Sequence, residues 1–102
     1  MIHCIATVLD FAPPHWHAGT RIVALALADR VNGDWQAWPS IADLSRRTGL
    51  SERAVQRYLR ALEDEGVITN HGQRIIDGNA ESNLWTWLWR PLVGVTYTTP
   101  PR

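Results

Sequence analysis

Lysine is missing from this 102-residue chain, so every one of its ten basic residues is arginine. Cysteine occurs once, as Cys4, which excludes an internal disulfide and any zinc site built from several thiolates. No run of 18 or more apolar residues occurs, and that excludes a membrane-spanning helix. Met1-Ile-His-Cys-Ile carries no basic residue ahead of its apolar run, so no secretory signal is expected and the chain reads as cytoplasmic. No Ser/His/Asp order, glycine-rich phosphate loop or paired-carboxylate pocket emerges, and the chain is expected not to be an enzyme. What remains is globular: 45% hydrophobic and 20% charged residues, enough for one domain.

Net charge is also missing, because ten acids cancel the ten arginines. The cancellation hides a segregation. Between positions 46 and 60 lie five arginines (46, 47, 53, 57 and 60) against the single acid Glu52, and Glu63-Asp64-Glu65 follow at once. One concentrated basic face is expected, of the kind that attracts polyanions.

Along the chain, Ile2, Ile5, Val8 and Leu9 fall at helical spacing until Ala12-Pro13-Pro14 ends the segment, predicting a short helix over 2–11. Pro13 to Gly19 reads as loop. Ile22, Val23, Leu25, Ala26, Leu27 and Val31 predict a largely buried helix from Thr20 as N-cap, ended by Asn32-Gly33-Asp34. Pro39 pushes Trp35 to Trp38 toward extended geometry. Ser40 with Asp43 three positions on is a capping-box variant, opening a helix to about Thr48 with Ile41 and Leu44 inward. Gly49 supplies a left-handed turn, Leu50 plugs the angle, and Ser51 caps a further helix that Gly66 stops. After Gly66 the period changes: Val67-Ile68-Thr69, Gln73 to Ile76 and Asn83 to Trp89 read as strand, turning at Asp77-Gly78-Asn79. Residues 90–102 hold three prolines and no periodicity, so a loose tail is expected.

Two helices joined by a glycine turn, the second of them basic, form a helix-turn-helix signature. On the second helix Val55, Tyr58, Leu59 and Leu62 share one stripe, while Arg53, Arg57 and Arg60 lie within about 60° of each other opposite it, beside Gln56. Fourteen helical residues would span about 21 Å, long enough to lie along a major groove about 12 Å wide. Arginine suits bidentate contacts with guanine edges and phosphates.

Trp38-Pro39-Ser40-Ile41-Ala42-Asp43-Leu44, Thr48-Gly49-Leu50-Ser51, Ala54-Val55-Gln56-Arg57-Tyr58-Leu59 and Leu62-Glu63-Asp64-Glu65-Gly66-Val67-Ile68 together resemble the winged helix-turn-helix family of bacterial and phage regulators and replication-initiator proteins. The likeness covers roughly Ile5 to Trp87. It implies an α+β fold: a three-helix core, a C-terminal β-hairpin wing and a short N-terminal helix, forming one domain over 1–89. The helix-turn-helix would occupy about 40–65 and the wing about 67–89. Where the family usually has threonine this chain has Ala54, so a hydroxyl that could bind phosphate or brace the helix start is missing.

The resulting expectation is a sequence-specific double-stranded-DNA-binding protein acting in transcription regulation. Arg53, Gln56 and Arg57 would read base edges, and Ser40, Arg46, Arg47, Ser51 and Arg60 would hold phosphates. On the wing, Gln73, Arg74 and His71 could reach the backbone, whereas Asp77 and Glu81 at the tip disfavour insertion into a minor groove of negative potential. Two rivals stand beside it: a replication or excision accessory factor, and a protein-interaction winged helix without DNA affinity. No cofactor or metal is expected, because His3, Cys4, His15 and His17 have no ligand spacing; Cys4 reads as an inert core thiol. Trp85, Trp87 and Trp89 alternate and should share the core face of the last strand, with Trp35 and Trp38 roofing the core. Leu84, Leu88 and the stripe Ile2, Ile5 and Leu9 would pack within the chain or support a homodimer on DNA.

Overall fold

The computed structural model describes residues 2–76 and 78–89, with side chains described at 4–73, 78 and 83–89. Its order is α1 (Ile2–Phe11), α2 (Ala18–Arg30), β1 (Gln36–Ala37), α3 (Ile41–Thr48), α4 (Glu52–Asp64), β2 (Ile68–Ile76) and β3 (Asn79–Trp87). The expected tail over 90–102, Asp77 in the hairpin turn, and the side chains of Ile2, His3, Arg74 and Glu81 lie outside the described residues.

The centre of the core is α2. Thr20, Val23, Ala24, Leu27 and Ala28 are buried on it, a stripe at three- and four-residue steps. That stripe moves the helix start: Thr20 is not the N-cap but sits inside the first turn, and His17 takes the cap position without a side-chain cap bond. Gly19 explains why the extra turn is tolerated. A Cβ there would stand 2.5 Å from ring atoms of Tyr58, so a residue with no side chain lets α4 lie against α2.

Against α2 pack α1, α3 and α4. On α1 the expected apolar stripe divides, with Cys4, Thr7 and Val8 buried, Ile5 half-buried and Leu9 exposed. On α3, Ser40 Oγ accepts the Asp43 N–H at 2.9 Å, and Gly49 (φ 76°) closes the helix by donating to Ser45. On α4, Ser51 Oγ accepts the Ala54 N–H at 3.1 Å, while Val55, Leu59 and Leu62 enter the core. Its C-terminus is a Schellman turn, in which Gly66 donates to Glu63 and Val67 to Leu62, with Gly66 left-handed at φ 80°.

The sheet is antiparallel in the order β1-β3-β2. Asn32 Oδ1 accepts from the Asp34 and Gln36 amides, and Trp35 takes φ 64°, which aims its carbonyl at the Trp87 N–H 2.7 Å away. Trp35 packs on the core, but Trp38 is 45% exposed and does not roof it. The two strand runs read before Asp77 are one bulged strand. Asn70 opposes Trp85 and Gln73 opposes Asn83, so His71 and Gly72 share a place across from Leu84. Trp85, Trp87 and Trp89 are all buried on one face, Trp16 meeting Trp89 at 5.6 Å between ring centroids. The result is α+β: four helices and a small three-stranded sheet whose β2–β3 hairpin follows the helix-turn-helix, a winged helix-turn-helix.

Candidate nucleic-acid interface

The two serine caps start α3 and α4 at fixed points, and the Thr48-Gly49-Leu50 turn sets the angle between them. Ser45 Oγ donates to the Leu50 carbonyl across that turn, and Thr48 Oγ1 to Leu44. With Val55, Leu59 and Leu62 committed to the core, the opposite arc of α4 has to face solvent. Arg53, Gln56, Arg57 and Arg60 all lie exposed on it. Arg57 stands over the Tyr58 ring at 5.2 Å, a cation–π contact that leans it along the helix. Among the described residues, none of Arg53, Arg57 and Arg60 forms an ion pair. Three uncompensated guanidinium groups thus stand along one helix face.

The remaining sequence-predicted residues are placed less uniformly. Ser40 and Ser51 are exposed, and each hydroxyl keeps its O–H free to donate while its oxygen serves as a cap. Arg46 reaches Asp43 at 2.8 Å and remains 72% exposed. Arg47 turns the other way: it bonds the Ala26 carbonyl at 3.1 Å and pairs with Asp29, so it braces α3 on α2 instead of standing beside the arc. Gln73 is exposed on the wing, and His71 Nε2 lies 2.7 Å from Thr86 Oγ1.

Sequence reasoning missed Arg30, which reaches Asp43 from α2 at 3.3 Å. The hydrogen bond from Arg46, with the charge of Arg30 adding to it, holds the Asp43 carboxyl below its ordinary value against a weaker opposing desolvation. The carboxylate therefore ties two cations from different helices into one cluster. No spacing in the chain pairs positions 30 and 43; only the crossing of α2 and α3 does. Among the described residues no group of three histidine, cysteine or acidic side chains could hold a metal ion, and His15 Nε2 instead meets Glu65 Oε1 at 3.0 Å. Nor is any described helix long and apolar enough to cross a membrane.

Comparison with known families agrees with a helix-turn-helix at this place in the chain. The profile of the helix-turn-helix domain family matches residues 18–68, from the first residue of α2 to the first of β2. No curated protein and no solved structure matches the chain significantly. The match takes in α2, α3, α4 and the turns between them, half of the chain and all of the exposed arginine arc. The chain belongs to the helix-turn-helix domain family.

Proposed function

We propose that this chain is a non-catalytic, sequence-specific double-stranded-DNA-binding protein that regulates transcription as a homodimer, with residues 1–89 working as one unit. The observation that carries this reading is the exposed arc of Arg53, Gln56, Arg57 and Arg60 on a helix of 13 residues, unpaired among the described residues. Such a helix is about 20 Å long and fits a major groove, where arginine reads guanine through paired donors. Arg53, Gln56 and Arg57 touch base edges. Arg60, Arg46, Ser40 and Ser51 set the register on phosphates, while Arg47 supports α3 from behind.

Selection from random duplexes followed by titration tests the reading. About four to six neutralised phosphates give a log–log salt slope near −4 to −5 despite zero net charge. Arg53→Ala and Arg57→Ala should each cost about 1–3 kcal/mol on the selected duplex and relax its base preference. Arg46→Ala and Arg60→Ala should weaken all duplexes alike. A slope near zero on duplex DNA would favour a protein partner, and a double Arg53→Ala/Arg57→Ala variant with wild-type affinity would remove α4 as the reader.

A further inference from the structure

The inner face of the wing changes character where it leaves the core. Directly opposed residues of an antiparallel pair point to the same side of the sheet, so Ile68 with Trp87, and Asn70 with Trp85, share that face. Asn83 joins them two residues from Trp85. Ile68, Trp85 and Trp87 are buried, but the next positions outward are two asparagines, a residue that strands disfavour. Between these asparagines and α4 lies a notch of about 210 Å³. Its floor is Ile41, Leu59 and Trp85; its rim is Gln56 and Arg60 from the helix and Asn70 and Asn83 from the sheet.

The orientation of one amide is decided by its neighbour. Asn70 Oδ1 accepts the Gly72 N–H at 2.7 Å inside the bulge, so the carbonyl end is turned to the bulge and both Nδ2 hydrogens remain to donate. With the Arg60 guanidinium, the rim is rich in donors, and among the described residues Glu63 is the one acid that lines it. An apolar floor beneath a donor rim matches deoxyribose joined to phosphate better than it matches a bare anion, which would leave the floor unused. Gln56 and Arg60 of α4 line the same notch as Asn70 and Asn83, so the notch adjoins the helix face that the reading above places in the groove.

We propose that this notch seats one sugar-phosphate unit of the bound duplex, so that the wing grips DNA at its root through Asn70 and Asn83 and not by reading with its tip. This rests on the duplex-binding reading above and adds two residues to it. The contact is to backbone, so it positions without specifying sequence.

The test pairs protein variants with a duplex in which single phosphates are replaced by neutral methylphosphonates. Asn70→Asp keeps the oxygen that holds Gly72 and exchanges donors for a charge, so a merely structural role is preserved while phosphate is repelled. Asn70→Asp and Asn83→Ala should each lower affinity about tenfold on selected and unrelated duplexes alike. One methylphosphonate position should cost the wild type a similar factor and cost the variants little. Inorganic phosphate, added at constant ionic strength, should not displace the duplex; displacement would mean a free-anion site and overturn the proposal. If the wild type binds duplex but both variants match it within about twofold, the notch reading falls alone. A wild type that binds no duplex at low salt would sink the parent reading as well.

Discussion

Gly19 is far from the arginine arc in sequence yet controls it through one contact. Tyr58 fits against α2 only because position 19 has no side chain, and Arg57 rests on the ring of Tyr58. An added methyl would meet the ring at 2.5 Å, too close for either to stay in place. Gly19→Ala should raise helix propensity locally and still destabilise the fold by about 1–3 kcal/mol, because overpacking at a rigid ring outweighs a propensity gain of about 1 kcal/mol. Denaturant titration would check the sign: a more stable variant would mean that α2 and α4 can separate freely. Binding should weaken too, since a displaced Tyr58 carries Arg57 with it. Single residues are also where the sequence says least about placement. Arg47 and Arg46 are adjacent and identical in type, and only the proximity of Asp29 and the Ala26 carbonyl turns one inward. Trp38 beside Trp35 reads as part of the roof of the core, but it stands 45% exposed.

At the scale of elements the helix-turn-helix was legible because its boundaries are chemical. Ser40, Gly49, Ser51 and Gly66 each satisfy a backbone group that a helix end leaves open, and the amphipathic stripe of α4 can face the core in only one way. Two boundaries were not legible for the same physical reason, that packing overrode a local signal. Thr20 is a good cap, but burial of its side chain with Val23 and Leu27 makes it helical. The break between Thr69 and Gln73 looked like a gap between strands, whereas Gly72 at φ 82° and the Asn70 amide turn it into a bulge within one. Gly72→Val should therefore act on the wing and spare the helices. A branched side chain at positive φ costs about 1–2 kcal/mol. Amides beyond the bulge, around the Gln73–Asn83 pair, should exchange faster with solvent while Ile68 and Trp87 stay protected. Uniform acceleration across the chain would show instead that the wing and helices unfold as one unit.

For the whole molecule, the proposed dimer follows from how little one copy can read. A helix of 13 residues contacts a few base pairs, so useful specificity needs two half-sites about one helical turn apart. The outward stripe read on α1 is the surface available for this. Val8 is taken by the core, Ile5 half so, and Leu9 is left 66% exposed on the face away from Cys4 and Thr7, with Phe11 exposed at the end of the same helix. The basic arc lies on α4, so pairing through α1 leaves both recognition helices open to DNA. Sedimentation with the selected duplex should show two chains on an inverted or direct repeat. Leu9→Glu should reduce this to one chain per duplex, with the salt slope roughly halved and half-site affinity unchanged. One chain per site from the wild type, with a single unrepeated half-site emerging from selection, would remove the dimer. Specificity would then rest on the arc of α4 alone, with the grip of the wing root adding affinity without sequence preference.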